Sequence, residues 1–247
     1  MAWVGTACQQ LRELVPRVRR ELGVVVGLTT LRRLLRRAGY RWKRMRRSLK
    51  PQRDAAAFAA CQHELTQLQA AEARGELALY YADEVRFSRQ APVPYAWQYR
   101  GEPPVGLPAE RGAGGGHSVL GMWRPGVAAQ PFIGLLSDTA FTAELVVGAL
   151  DEFSEHLTQP TVLVLDNASI HRAARVHTRH AMWAARGLRL LFLPPYSPEL
   201  NRVEILWRFC KHYWLPPQAY QTPQTLRDHV TELIRNIGTQ HYRITFA

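Results

Sequence analysis

Residues 161–171, TVLVLDNASIH, place a short apolar run directly before an aspartate. Five such residues suit a strand that is buried on both faces of a sheet. A helical pattern, IHRAARVHTRHAMWAARG, follows this run, and then comes a second apolar run, LRLLFL. Two strands joined by a helix pair in parallel and carry that helix on one face. This order therefore predicts an open sheet covered by helices.

The segment before residue 161 has a different pattern. ELALYYADEVRF, PYAWQYRG, HSVLGMWRPG and QPFIGLLSD are short runs of strand type, and FTAELVVGALDEFSEHL is of helical type. The glycine-rich stretch GLPAERGAGGG between two of these runs predicts a mobile loop. Successive antiparallel strands, followed by a strand, a helix and a strand, predict the α/β class with a mixed sheet flanked by helices.

The first 53 residues carry the excess positive charge of the chain. They contain 15 of the 32 Lys and Arg residues but only two of the 20 Asp and Glu residues. Within them, LTTLRRLLRRAGY has its leucines at helical spacing, with Thr29 or Thr30 as the expected cap and Gly39 as the stop. The opposite side of this predicted helix carries four cations: Arg32, Arg33, Arg36 and Arg37.

A second helical pattern, CQQLRELVPRVRRELGV, precedes the basic helix and breaks at Gly23. Two short helices joined by a glycine-containing turn are typical of a helix-turn-helix that places its second helix in the major groove of DNA. The flank YRWKRMRRSLK adds Arg41, Lys43 and Arg44 as expected phosphate contacts. A solvated tail and an amphipathic helix on an anionic membrane are the alternative interpretations.

The next stretch, RDAAAFAACQHELTQLQAAEAR, lacks glycine and proline, so it predicts one connecting helix that ends at Gly75. The three cysteines are scattered and indicate neither a disulfide framework nor a zinc site. No segment is long and apolar enough to span a bilayer, and the N-terminus lacks the apolar core of a signal peptide. We therefore expect a cytoplasmic protein without a membrane partner.

Two strands of the predicted sheet end on acids. Asp166 ends TVLVLD, and LALYYADE delivers Asp83 and Glu84. Ligands of open α/β sheets bind at the carboxyl ends of the strands. Carboxylates from adjacent strand ends repel each other unless a cation lies between them, and their oxygens suit Mg²⁺. The alternative is that Asp166 caps the following helix, with Ser169 sharing that task.

A third acid follows the second parallel strand, in LPPYSPELNRVEILWRFCKHYW. The prolines predict a rigid turn, and a helix begins near them. One face of this helix is expected to pack on the core through an apolar stripe: Val203, Leu206, Cys210 and Tyr213. Glu204, Arg208 and Lys211 then share another face. We expect Glu204 to project toward the strand ends, with Arg208 and Lys211 as contacts to DNA phosphates.

These three segments together resemble a known family. The pairing of DNASIH with LPPYSPELNRVEILW, after a strand that ends in DE, is similar to the bacterial IS630 transposases of the IS630/Tc1/mariner superfamily. The resemblance covers roughly residues 77–215. It implies an RNase H-like domain whose catalytic and metal-binding triad is Asp83, Asp166 and Glu204. Residues 15–50 are similar to the helix-turn-helix region of the family, although less distinctively.

The resemblance also implies a domain organisation and an activity. Residues 1–52 are expected to form a small all-α helix-turn-helix domain that binds DNA, residues 53–76 the connecting helix, and residues 77–247 the RNase H-like catalytic domain. The implied function is that of a DDE transposase that cleaves and joins DNA strands with two Mg²⁺ or Mn²⁺ ions. The implied partners are double-stranded DNA, as transposon ends and target, and a second copy of the chain in a DNA-bound homodimer.

Two further residues, Asn167 and His171, are expected to support the site by positioning ligands or substrate, although His171 also suits a buried structural role. The location expected for such a protein is the bacterial cytoplasm, at the nucleoid. An RNase H-like nuclease that cuts without joining, and a catalytically silent DNA-binding protein descended from a transposase, are the alternative functions.

The sequence departs from the family pattern in two places. Arg202 stands where the family usually has proline, so the local turn is expected to differ slightly. Family members generally carry a further helix-turn-helix before the one identified above. The chain is therefore expected to be an N-terminally truncated copy.

Overall fold

The computed structural model divides the chain into two units, Met1–Ser48 and Leu49–Ala247. The described residues are 11–41, 50–90, 98, 100–101, 103, 106, 115–127 and 131–244. The predicted strand PYAWQYRG and the predicted loop GLPAERGAGGG lie largely outside them, and Lys43 and Arg44 lie wholly outside them. No helix within the described ranges combines the length and the apolar character that crossing a membrane requires.

The first unit contains the two helices that the leucine spacing predicted. They are α1 (Leu11–Leu22) and α2 (Leu28–Arg37). They pack through four buried side chains: Leu14, Val18, Leu31 and Leu35. Gly39, at φ 87°, follows the end of α2 as expected.

The expected cap of α2 was wrong. The helix is capped by Gly27, whose carbonyl accepts the N–H of Leu31, without any side-chain capping bond. Thr29 and Thr30 therefore lie inside the first turn, because the helix begins one residue before them.

Within the described residues, the second unit is built on one five-stranded sheet. Its strands are β1 (Ala78–Phe87), β2 (His117–Trp123), β3 (Phe132–Ser137), β4 (Thr161–Leu165) and β5 (Leu188–Phe192). Their order across the sheet is β3-β2-β1-β4-β5. The pairs β1–β2 and β2–β3 are antiparallel, whereas β1–β4 and β4–β5 are parallel. The mixed sheet expected from the sequence is confirmed.

Helices cover both faces of this sheet. They are α3 (Ala55–Ala73), α4 (Ala143–Glu155), α5 (Ala174–His177), α6 (His180–Ala185), α7 (Val203–Phe209) and α8 (Pro223–Asn236). The first core joins α3, α7 and α8 to one face of β1 and β2. The second core joins α4, α5 and α6 to the opposite face. The long helix expected after β4 is in fact the two short helices α5 and α6.

The helix that carries the third acid changes its geometry at its end. After α7 the chain continues as a π-helical turn, Cys210–Trp214. Val203, Leu206 and Cys210 are fully buried as predicted, but Tyr213 is 68% exposed, so its expected place in the core stripe was wrong. The wider turn rotates the residues after Cys210 out of the α-helical spacing on which that expectation rested.

Candidate active site

Asp83 lies in the middle of the central strand, on the face that α7 covers. Side chains alternate across a strand, so Asp83 shares this face with the core residues Tyr81 and Val85. Directly opposite in the β1–β2 register is Gly121. A Cβ atom at Gly121 would overlap the ring of Trp207, which comes from α7. The missing side chain thus lets α7 lie close to the sheet beside Asp83.

Asp166 is the first residue after β4, at the carboxyl end of a parallel strand. Its Oδ1 accepts the backbone N–H of Ala168 at 3.0 Å and a hydrogen bond from His171 Nδ1 at 2.8 Å. The next helix, α5, begins only at residue 174 and is capped by Ala173. Asp166 therefore closes a local turn instead of capping a helix, and its Oδ2 is the oxygen that a ligand role would use.

His171 joins the ends of two strands. It is 1% exposed, and its Nε2 lies 3.0 Å from Oε1 of Glu84 on β1. Both of its ring nitrogens face carboxylate oxygens, which only accept hydrogen bonds, so both nitrogens donate and the ring is an imidazolium. Burial acts to lower the pKa of His171, but the hydrogen bonds to Asp166 and Glu84 outweigh burial and raise the pKa to about 9.

Glu204 is the second residue of α7, behind a tightly held turn. Tyr196 adopts a positive φ of 60°, and the Ser197 hydroxyl donates to the carbonyl of Pro195 at 3.3 Å. Glu199 in this turn accepts a hydrogen bond from Arg53 at 2.6 Å. Because the core-facing residues of α7 are fully buried, the orientation of Glu204 follows from the packing of the helix.

The three acids act on one another electrostatically. Burial is the largest cause that raises the pKa of Asp83, to about 7, and the charges of Glu204 and Asp166 add to it. Burial also raises the pKa of Glu204, while Lys211 lowers it and Asp166 raises it. The hydrogen bond from His171 is the main cause that lowers the pKa of Asp166. The fold thus brings the three predicted acids to one end of the sheet.

The three acids are near one another, but they are not grouped as the ligands of a bound metal ion would be. Among the residues that the structure describes, no three His, Cys, Asp or Glu side chains are grouped so as to hold a metal ion. Mutual repulsion between unscreened carboxylates is the physical reason for a separated arrangement. Their hard oxygen donors nevertheless fit a divalent cation, as do the pKa values of Asp83 and Glu204, which burial and then neighbouring negative charge raise.

Cations lie on two sides of these acids. Lys211 is close enough to influence Glu204, and its Nζ lies 5.9 Å from the centre of the Phe87 ring. Arg208 is exposed and lies against the neighbouring Phe209 ring. On the other side, the guanidinium of Arg172 donates to Oδ1 of Asn167 at 3.0 Å, next to Asp166.

The predicted DNA-binding residues of the first unit are exposed on α2 and just after it: Arg32, Arg33, Arg36, Arg37 and Arg41. The guanidinium of Arg41 donates to the carbonyls of Arg36 and Tyr40, at 2.9 and 3.0 Å, so it also closes the end of α2. The remaining two predicted contacts, Lys43 and Arg44, lie outside the described residues.

Sequence reasoning missed several neighbours of the acids. The sequence identified Glu84 only as a second acid next to Asp83, whereas in the structure Glu84 is a partner of His171. The alternation along β1 was the available signal, because adjacent residues of a strand face opposite sides. Trp207 and Arg172 were also missed. Trp207 lies one helical turn after Val203, and Arg172 directly follows His171.

Comparisons with known proteins agree with this architecture. The model of the family described as "DDE superfamily endonuclease" matches residues 78–227, and that of "Winged helix-turn helix" matches residues 5–65. An uncharacterized protein of Sinorhizobium fredii, y4pE/y4sA, is 30% identical over 83 residues. That match spans 34% of this chain and 57% of the relative, which is less than two thirds of its length.

Solved structures of a mariner transposase share the fold. The Mos1 strand transfer complex superposes with a TM-score of 0.62 at 16% identity, covering 94% of this chain and 71% of that chain. The Mos1 paired end complex with Mg gives a TM-score of 0.61 at 14% identity, with 95% and 69% covered. At such identities the likeness concerns the fold, and it confirms the RNase H-like class expected from the sequence. Because the endonuclease match spans more than half of the chain, this protein belongs to the DDE superfamily of endonucleases.

Proposed function

We propose that the chain is an active transposase that cleaves DNA and joins the cleaved strand to a target, with Asp83, Asp166 and Glu204 as its catalytic acids. The carrying observation is that these three acids lie within electrostatic reach of one another in the part of the chain that matches the DDE endonuclease family. The raised pKa values of Asp83 and Glu204 mean that their ionised carboxylates destabilise the fold when no cation is present, so their convergence with Asp166 favours a cation-binding role.

The proposed cofactor is Mg²⁺ or Mn²⁺, as two ions held by the three acids. Two of the similar structures are titled as Mos1 complexes with Mg and with Mn. Divalent ions bound at such a site stabilise both the entering and the leaving oxygen of a phosphodiester. Asp83, which the central strand supplies, would hold these ions together with Asp166 and Glu204.

Residues around the acids have distinct proposed roles. His171 holds Asp166 through its Oδ1 and so fixes the direction of Oδ2. Trp207 packs over Gly121, which pairs with Asp83 across the β1–β2 register, and its proposed role is to limit the access of water to that carboxylate. Lys211, which already acts on Glu204, attracts the phosphate of the cleaved strand, and Arg208 one turn along the helix adds a second positive charge. Asn167 orients Arg172 toward the same strand.

The proposed reaction has two steps that share one site. In the first, water attacks the scissile phosphorus, the P–O3′ bond breaks, and a 3′-hydroxyl and a 5′-phosphate result. In the second, that 3′-hydroxyl attacks a phosphorus of the target, a new P–O bond forms, and the 3′ oxygen of the target leaves. Neither step requires a covalent bond to the protein, because water and then DNA supply the nucleophile.

DNA recognition is the proposed task of residues 1–52, with residues 53–76 as the connection and residues 77–247 as the catalytic domain. The exposed arginines of α2 supply the positive charge that DNA binding needs. The similar Mos1 structures are titled as strand transfer and paired-end complexes. By analogy, we propose that two copies of this chain assemble on the transposon ends, in the bacterial cytoplasm at the nucleoid.

The test uses the full chain with a supercoiled plasmid that carries the genomic DNA flanking the coding sequence. Wild-type protein with Mg²⁺ or Mn²⁺ should nick and join this DNA. Asp166→Asn and Glu204→Gln should abolish both products while DNA binding persists. Glu152→Gln, at an exposed position of α4, is the matched control and should react as the wild type does.

Other outcomes would favour the alternatives. Cleavage without any joined product would favour a nuclease. DNA binding without metal-dependent cleavage would favour a catalytically silent protein, and would overturn the proposal.

A further inference from the structure

Asn201 is a buried polar residue between the rigid turn and α7. Its side chain is only 3% exposed. Its Nδ2 donates a hydrogen bond of 3.0 Å to the backbone carbonyl of Ala82, which directly precedes Asp83. Its own backbone carbonyl accepts the N–H of Glu204 at 3.2 Å. One residue therefore contacts both the strand of the first acid and the helix turn of the third acid.

The carbonyl of Ala82 lies just beyond the last residue pair between β1 and β4. The parallel pairing of β1 with β4 ends at Tyr81 and Val164, one residue before Ala82. A buried carbonyl needs a donor, and the amide of Asn201 supplies it where β4 does not. The hydrogen bond from Asn201 thus takes the place of a strand-to-strand hydrogen bond, and it links the start of α7 to β1 at Ala82.

The other end of the Asn201 amide is unsatisfied. Its Oδ1 is buried and has no hydrogen-bond partner among the described residues. A buried acceptor without a partner destabilises a fold, and an apolar residue of similar size would avoid that cost. Packing alone therefore does not account for an asparagine here, whereas the donor that faces Ala82 does.

We propose that Asn201 is a positioning residue that sets the spacing between Asp83 and Glu204, and thereby the affinity of the acid site for divalent cations. This inference rests on the proposed function, because it takes these acids to be metal ligands. Residues that orient metal ligands typically change metal affinity by about 10–100-fold when they are replaced. Asn201 is expected to act in this range through Glu204.

The test measures Mn²⁺ binding to the full chain by calorimetry, with urea unfolding in the absence of metal as the measure of stability. Asn201→Leu keeps the branching and the number of heavy atoms of the side chain but removes the donor, and it should weaken Mn²⁺ binding about tenfold or more. Asn201→Ser, whose hydroxyl is too short to reach Ala82, should do the same and serves if the leucine variant does not fold. Val230→Ala removes a buried side chain of the same core and should lower stability while leaving Mn²⁺ binding unchanged.

A double-mutant cycle shows whether Asn201 acts through Glu204. Once Glu204→Gln has removed that ligand, adding Asn201→Leu should cause little further loss of Mn²⁺ affinity. An equal loss in both backgrounds, or no loss from Asn201→Leu alone, would overturn the inference. If Glu204→Gln itself leaves Mn²⁺ binding unchanged, the proposed function fails instead, so the two failures are distinguishable.

Discussion

Replacing Asp83 with asparagine should stabilise the metal-free protein at neutral and alkaline pH. Burial, together with the charges of Glu204 and Asp166, raises the pKa of Asp83 from 3.8 to about 7. A carboxyl group whose pKa is higher in the folded than in the unfolded state binds protons preferentially when folded. The unfolding free energy therefore falls as pH rises between these two values. Asparagine has the same shape and no charge, so it removes this loss.

The pKa of Asp83 sets the size of the effect. Each pKa unit corresponds to about 1.4 kcal/mol, so the ionised carboxylate destabilises the fold by at most about 4 kcal/mol above neutral pH. Asp83 is partly accessible to solvent, which weakens its interactions with the other charges. We therefore expect Asp83→Asn to raise the unfolding free energy by about 1–3 kcal/mol near pH 8, and by close to zero near pH 4.

Urea unfolding followed by tryptophan fluorescence measures this difference. With a chelator present, the wild-type unfolding free energy should decline from about pH 4 to about pH 7, and that of Asp83→Asn should decline less. Added Mg²⁺ should reverse the order, because a ligand of the folded state stabilises it by about 2.7 kcal/mol at roughly 100 times its Kd. The variant, which lacks one proposed ligand, should gain much less from Mg²⁺.

Glu152→Gln removes the same charge from an exposed position of α4 and should change stability little at any pH. The reasoning is refuted if Asp83→Asn destabilises the chelated protein near pH 8 as much as near pH 4. That result would mean that the Asp83 carboxylate makes net favourable contacts in the folded state.

Four further results are expected. Gly121→Ala should destabilise the fold by about 1–3 kcal/mol and weaken Mn²⁺ binding, because its Cβ overlaps the facing tryptophan ring, whereas Gly148→Ala, with open space in α4, should be neutral or stabilising. Replacing the four arginines of α2 with alanine should weaken DNA binding and lower its salt slope by about one for each lost phosphate contact. Lys211→Ala should lower metal-dependent cleavage without lowering the free energy of unfolding. A lower free energy of unfolding with unchanged cleavage would show that Lys211 is structural. The stability that His171 contributes should be present below its ordinary pKa of 6.5 and be lost as pH rises through about 9, and His171→Gln should lack this loss in urea unfolding.

The elements of the second unit were largely predictable because their signals are local. Short apolar runs marked all five of the described strands, and the acids at the ends of two runs were placed at one edge by the rule for parallel strands. Asp83 and Asp166 are positioned by the same backbone pattern that identifies their strands. The approach of Glu204 was predicted from a turn and a helix face, which are also local.

What escaped prediction depends on distant contacts or on unusual local geometry. The bond between His171 and Glu84 joins residues 87 positions apart, so nothing near His171 in the sequence identifies its partner. The exposure of Tyr213 follows from the π-helical turn, which an α-helical spacing rule cannot anticipate. The cap of α2 was misplaced because the helix begins at Leu28, earlier than the two threonines suggested. Exact helix ends are the least certain part of a sequence pattern.

Different contacts hold each of the three acids in place, and these contacts keep the carboxylates near one another although they repel. Asp83 belongs to β1, which pairs with β2 on one side and, up to Tyr81, with β4 on the other. Asp166 is hydrogen-bonded to His171. Glu204 lies on α7, whose core-facing residues are fully buried. Each anchor is made by contacts other than those between the acids, so removing one negative charge relieves repulsion without releasing its neighbours. Under the proposed function, the protein should therefore be more stable with a bound divalent cation than without one. Stability measured with and without Mg²⁺ therefore reports on the site more directly than stability alone.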